Sequence, residues 1–118
     1  MTRDELKKRL ALKRIPVAGL DGVFARELSA LDQVEFEEWK SARKTDELDG
    51  PAKRKETLRH MAELIHLTAV NEAGQRLFLP EDAEQMPQES FDEMKQLFDA
   101  ACEVNGMTDK SDEAVKKN

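Results

Sequence analysis

The residues of this chain that could do chemistry at close spacing lie in the segment HMAELIH. His60 and His66 are its two histidines, and Glu63 lies midway between them. Zinc-protease helices place two histidines four residues apart, so that both side chains reach one ion, with a glutamate beside the first. Here the spacing is six, which turns the second side chain about 240° away from the first on one unbroken helix. We therefore interpret both as ordinary histidines near a helix surface and expect no metal site.

Two further candidates for chemistry have simpler interpretations. Cys102, the single cysteine, has no histidine at a recognisable catalytic spacing and falls on the apolar face of a predicted helix, where a thiol behaves as a small hydrophobe. The stretch AGLDGVF contains two glycines, but no Lys-Ser or Lys-Thr follows them, so it indicates a turn rather than a phosphate loop. We therefore expect neither a cofactor nor enzymatic activity.

Composition limits the size of the protein and the class of its partners. The 118 residues suffice for one domain. The formal net charge of −6 argues against nucleic-acid binding, which needs many basic side chains on one face. A single cysteine suits a reducing compartment. Because the sequence has neither an apolar run of about 18 residues nor the apolar core of a signal peptide, we expect a soluble, cytoplasmic protein that binds no membrane.

The elements that would position these residues are mainly helices. Residues 2–12 predict a short helix that Thr2 caps. The stretch RIPVAGLDGVFARELS predicts two short strands about a glycine-containing turn. Ser29 is a good N-cap, and Asp32 occupies the third helical position as in a capping box, so a helix should follow to about Thr45.

The second half of the chain predicts two long helices with a turn between them. Pro51 suits the first turn of a helix over residues 52–69, whose apolar periodicity places it at the centre of the domain. Gly74 predicts a turn with two very short extended arms, and PEDAEQM a helical turn or two. Pro87 should open the last long helix, which Asn105-Gly106 would end near Val104.

These elements define the expected fold class and domain. We predict a mainly α (α+β) domain over residues 1–106, with an N-terminal β-hairpin and a small β-turn element between the last two long helices. Residues 107–118 are polar and predict a flexible C-terminal tail. The expected core stripes are Leu31, Val34 and Ala42 on the helix after Ser29, and Phe91, Met94, Phe98, Ala101 and Cys102 on the last helix.

Charge is distributed unevenly along the chain. Residues 40–60 hold seven basic and four acidic side chains, whereas residues 79–105 hold one basic and eight acidic side chains. The two regions could attract each other within one molecule, or they could join subunits head to tail into a ring or an open chain. The candidate self-association residues are Lys53, Arg54, Lys55, Glu81, Asp82 and Glu84.

Three stretches together carry a resemblance to a known family. They are LDGVFARELSALDQVEFEEW, AVNEAGQRLFLPEDAEQM and LFDAACEVNGM. In this order they resemble the tail assembly chaperones of long-tailed, siphovirus-type bacteriophages and prophages, over residues 15–107. The predicted N-terminal helix has no counterpart in that pattern.

The resemblance implies a non-catalytic protein that binds the tape-measure protein and keeps it soluble while tail-tube subunits assemble around it. Such a protein acts in the bacterial host cytoplasm, associates with itself and is absent from the mature virion. The major tail tube protein is a second candidate partner. Two alternatives stay open: a small structural or connector protein of a phage particle, and an acidic regulatory binding module.

The candidate client contacts are apolar residues that lie off the main helical stripes. A surface that holds apolar segments of another chain needs contacts that exclude water, together with charge that keeps the complex soluble. Each candidate could instead belong to the core of the domain. The residues are Phe36, Leu64, Leu67 and Leu97.

Overall fold

The structure is a computed structural model that describes residues 1–43 and 47–107. These parts of the chain form five α-helices and a three-stranded antiparallel sheet with the order β1-β2-β3. The helices are α1 (Arg3–Leu10), α2 (Ala30–Ser41), α3 (Gly50–Thr68), α4 (Pro80–Gln85) and α5 (Phe91–Val104). The strands are β1 (Arg14–Pro16), β2 (Phe24–Arg26) and β3 (Ala69–Val70). This architecture confirms the predicted mainly α (α+β) class.

The N-terminal hairpin is formed by β1 and β2. Ile15 lies opposite Ala25 in this antiparallel pair. Gly19 and Gly22, in the connection between the strands, have φ angles of +79° and +76°, which residues other than glycine rarely adopt. The glycines therefore close the hairpin that the sequence predicted.

The small β element after α3 extends this hairpin into a sheet. In β3, Val70 pairs with Phe24 of β2, an interaction that the sequence analysis did not anticipate. Val70 also forms a bridge to Arg76 across the turn, in which Gly74 has a φ of +81°. The predicted turn with short arms is thus present, and one of its arms is the third strand.

Helix α2 starts as predicted but presents a different face to the core. The Ser29 hydroxyl accepts a hydrogen bond from the Asp32 N–H at 3.0 Å, and the Asp32 carboxylate accepts one from the Ser29 N–H at 3.4 Å. Leu31 and Val34 of the expected core stripe are 67% and 54% exposed and its third member, Ala42, is exposed too, whereas Phe36 is buried. The expected stripe was therefore wrong. Arginine contacts to Asp32, together with the burial of Phe36, turn the opposite face inward.

Helix α3 is the central element, as its periodicity predicted. The Asp49 carboxylate caps it by accepting a hydrogen bond from the Ala52 N–H at 2.9 Å. From Met61 to Thr68 every residue except Glu63 is buried. This stretch packs against α4, α5 and the sheet, so the whole described core is arranged around it.

Helix α5 begins later than predicted and ends where predicted. Pro87 lies in a separate 3₁₀ helix (Met86–Gln88), and the extended backbone of Glu89 breaks the path before Phe91. Phe91 was expected in the core but is 53% exposed. At the other end Gly106 has a φ of +68°, and the Met107 N–H donates to the Cys102 carbonyl at 2.8 Å, which is a Schellman stop.

The core consists of two clusters of buried side chains. The larger one lies between the sheet and helices α3, α4 and α5. The smaller one lies beneath α2 and consists of Leu28, Phe36, Leu64, Leu67, Ala101 and Cys102. Met107, the first residue of the predicted tail, packs against this smaller cluster, and residues 108–118 lie outside the described part of the chain.

Candidate binding surfaces

The four residues expected to contact a client are buried. Phe36, Leu64 and Leu67 belong to the smaller cluster, and Leu97 belongs to the larger one. The sequence also allowed that these residues belong to the core of the domain, and the structure places them there. A client contact through these side chains stays a prediction, and it would require the core beneath α2 or α5 to open.

Other apolar side chains lie on the surface, and two of them share the outer face of α2. Leu31 and Val34 are three residues apart, so they are neighbours on the helix surface. Val34 lines an open depression together with Gln33, Glu37, Glu38 and Ser41. The spacing that predicted a buried core stripe on α2 therefore forms an exposed apolar strip with an acidic border. The strip is exposed because the opposite face of α2 is the buried one.

The start of α2 is fixed to the rest of the domain by a buried carboxylate. Asp32 lies 3.2 Å from the Arg26 Nη2 atom and 2.8 Å from the Arg76 Nη2 atom. Arg26 also donates from Nε to the Leu67 carbonyl at 3.3 Å. Asp32 therefore joins β2, the turn after β3 and the start of α2. The sequence pattern predicts the capping-box role of Asp32 but gives no signal for either arginine.

The end of α2 is fixed to α3 by a second buried carboxylate. Arg43 donates two hydrogen bonds of 2.7 Å to Glu56, and Arg59 donates one of 2.6 Å. Hydrogen bonds from Arg43, and to a smaller extent from Arg59, lower the pKa of Glu56 to about 2 against the opposing effect of burial. The guanidinium of Arg43 also lies 4.7 Å above the centre of the Trp39 ring. Both ends of α2 are thus held, which fixes the outer face.

The two histidines have separate environments. His60 packs edge-on against Trp39 with ring centres 5.1 Å apart, and burial lowers the pKa of its imidazole. His66 is buried, so the expectation of a surface position was wrong for it. Its Nδ1 atom lies 3.6 Å from the Glu63 carboxylate, beyond hydrogen-bonding distance. Residues 1–43 and 47–107 contain no group of three or more side chains placed to hold a metal ion.

A cleft lies where α2, α3 and α4 meet. It has a volume of about 460 Å³ and includes the ring of Trp39 on one wall. The remaining lining residues are Arg43, Arg59, Glu63, Pro80, Ala83 and Glu84. Both arginines are engaged by Glu56, so the cleft offers aromatic and charged surface suited to a side chain of a bound polypeptide.

The predicted self-association residues lie mainly on the surface. Lys53, Arg54 and Lys55 are exposed near the start of α3, and Glu81 and Glu84 are exposed on α4. Asp82 has a local role as well, because its carboxylate accepts a hydrogen bond from the Leu79 N–H at 2.7 Å at the start of α4. Association through these six residues stays a prediction.

Comparison with known proteins provides no relative from which a role could be transferred. No protein-family model, curated protein or solved structure matches this chain. Among the described helices, none combines the length and apolar character needed to cross a bilayer. The case for a function therefore rests on the surfaces above and on the resemblance of the three sequence stretches.

Proposed function

We propose that this chain is a phage tail assembly chaperone. It binds the tape-measure protein without catalysis and keeps it soluble in the host cytoplasm while the tail tube assembles, and it leaves before the virion is mature. Support comes from the resemblance of residues 15–107 to that family and from the surface of α2. The major tail tube protein, the second candidate partner, would be met during the same assembly step.

The observation that carries the proposal is the uncovered apolar strip of Leu31 and Val34. Scattered apolar side chains are normal on protein surfaces, but this pair is adjacent and lies on a helix held at both ends. An amphipathic client helix could cover it with its own apolar face. Full burial of one leucine or valine side chain contributes about 1.5–3 kcal/mol to the free energy of binding. Two such side chains therefore give the weak, reversible contact that a chaperone requires.

The charged border of the strip fits the same role. Glu35, Glu37 and Glu38 are exposed on α2. These carboxylates stay hydrated when the strip is covered, so a complex with an apolar client would remain soluble. Several subunits on one long client would add their weak contacts by multivalency.

Co-expression with a tape-measure protein from the same phage or prophage tests the proposal. The wild-type chain should raise the soluble fraction of the client. The variant Leu31→Ser/Val34→Ser should bind the client about tenfold or more weakly, because it removes about 1.4 kcal/mol or more of apolar contact, and should therefore lower that fraction. The matched control is Leu12→Ser/Leu77→Ser, which changes two exposed leucines outside α2 and should behave as wild type.

Each outcome of this experiment has a distinct meaning. If the wild-type chain leaves client solubility unchanged, the chaperone proposal is wrong. If wild type and the α2 variant protect the client equally, the chaperone role stands and the α2 strip is not its surface. Detection of the chain in purified virions would instead favour the structural or connector alternative.

A further inference from the structure

Helix α1 is exposed along its length and makes no extensive contact with another described element. None of its eight residues is buried. Leu6 and Leu10, four residues apart on one face, are 49% and 71% exposed. An eight-residue helix is marginal in water without tertiary contacts. Its apolar face is therefore available to a surface outside its own fold.

The charge of this region selects the kind of surface that could cover it. Residues 1–14 carry six basic and two acidic side chains, a net charge of +4, with Lys7, Lys8 and Arg9 adjacent in the last turn of α1. Residues 84–93, hereafter the acidic end, carry four acidic side chains and no basic one, a net charge of −4. Phe91 is 53% exposed within the acidic end. The two regions are thus complementary in both charge and apolar character.

The fold keeps these two regions apart within one molecule. Lys13, just after α1, is hydrogen-bonded to Glu27. Leu28, which follows Glu27 in the chain, donates its N–H to the side chain of Asn105 at the end of α5. The 14 residues of α5 place Phe91 about 21 Å from that point along the helix. Leu6 is separated from Lys13 by about 16 Å of chain at full extension. A contact between Leu6 and Phe91 of the same molecule would require this connection to be stretched along α5, whereas α1 makes no extensive contact with α5 in the structure.

We propose that α1 docks on the acidic end of a second copy of this chain. Leu6 and Leu10 cover Phe91, while Lys7, Lys8 and Arg9 face Glu84, Glu89, Asp92 and Glu93. Each copy gives its helix at one end and accepts a helix at the other. The contact is therefore heterologous and builds a ring or an open chain. It differs from association through the basic residues of α3, and it does not depend on the identity of the client.

An anionic membrane is the competing occupant for a basic helix with exposed leucines. The rest of the chain, residues 15–118, carries 13 basic and 23 acidic side chains and would be repelled by such a surface. Two leucines on one short helix also bury too little area for stable insertion into lipid. A second copy, with its matching acidic end, fits the observations better.

A charge-swap mixture tests the contact with full-length chains. In sedimentation at high protein concentration and low salt, the wild type should associate, and added salt should weaken the association about tenfold because the paired charges are exposed. The variants Lys7→Glu/Lys8→Glu/Arg9→Glu and Glu84→Lys/Glu89→Lys/Glu93→Lys, the second of which turns the net charge of the acidic end from −4 to +2, should each be monomeric alone. Mixed together they should associate, since the reversed helix of one now faces the reversed acidic end of the other.

Two further measurements locate the contact. Leu6→Ser/Leu10→Ser should be monomeric, while the control Leu12→Ser/Leu77→Ser should associate as wild type does. Carbodiimide coupling of mixed light and ¹⁵N-labelled wild-type chains should join Lys7 or Lys8 to the acidic end in species that contain both isotopes. Vesicles of anionic lipid should not retain the wild type.

Several results would overturn the inference. They are a strictly monomeric wild type, a charge-swap mixture that stays monomeric, couplings confined to a single isotope, and vesicle binding lost in the Leu6→Ser/Leu10→Ser variant. None of them bears on client solubility, so this inference and the proposed function can fail separately.

Discussion

Replacing Glu56 by glutamine is the most quantitative test of how α2 is held. Glutamine keeps the shape of the side chain but removes the negative charge that Arg43 and Arg59 contact. These contacts lower the carboxyl pKa from 4.5 to about 2. Since one pKa unit corresponds to about 1.4 kcal/mol, the ionised carboxylate stabilises the folded chain by about 3 kcal/mol relative to its protonated form. We expect Glu56→Gln to lower the free energy of unfolding by about that amount at pH 7.

The stabilisation by Glu56 should decrease as the pH falls. Below pH 4.5 the unfolded chain takes up a proton at Glu56, whereas the folded chain does so only near pH 2. The stabilisation is therefore complete above pH 4.5 and is lost as the pH falls through about 2. At pH 3 about 1.5 kcal/mol of it should remain. The difference between wild type and Glu56→Gln should thus shrink by about half between pH 7 and pH 3.

Urea unfolding followed by fluorescence provides the assay. Trp39 is the single tryptophan and lies against both Arg43 and His60, so its emission should report the release of α2. The control is Glu37→Gln, which removes an exposed partner of Lys40 and should cost no more than about 0.5 kcal/mol at either pH. A difference for Glu56→Gln that stays constant from pH 7 to pH 3 would refute the reasoning, as would one below about 0.5 kcal/mol at pH 7.

Two further predictions concern which contacts hold the domain together, and unfolding in urea checks both. Phe36→Ala should destabilise the chain by about 3–5 kcal/mol because it leaves a cavity beneath α2, while Leu31→Ala on the exposed face should change stability by less than about 0.5 kcal/mol; equal losses would contradict the orientation of α2. Asn105→Ala should cost about 1–3 kcal/mol, because the Leu28 N–H loses its side-chain acceptor at 2.8 Å; wild-type stability would show that water replaces that acceptor.

Local sequence patterns predict where the turns and helix ends of this chain lie better than which face a helix buries. Ser29, Gly74 and Gly106 act through hydrogen bonds or backbone angles within a few residues of themselves, so the sequence predicted the turns and stops that they make. The start of α5 was misplaced because proline is compatible with both an α-helix and the 3₁₀ helix that Pro87 enters.

The candidate site was predicted less well, and α2 shows why. Its apolar residues lie on two faces, and periodicity favoured Leu31 and Val34 as the core face. Asp32 decides otherwise through Arg26 and Arg76, the latter 44 positions away in the chain. Sequence periodicity contains no information about such a distant partner.

The sequence by itself determined the fold class, the hairpin, the central position of α3 and the stop after α5. Each of these follows from capping groups, from glycine or from a single dominant apolar stripe, whose interactions are local or have no competing arrangement. Only the tertiary structure decided which face of α2 is exposed and that α1 makes no extensive contact with another described element. Both depend on contacts between segments far apart in the chain. Alternative sets of such contacts have similar free energies, and only the folded chain shows which set forms.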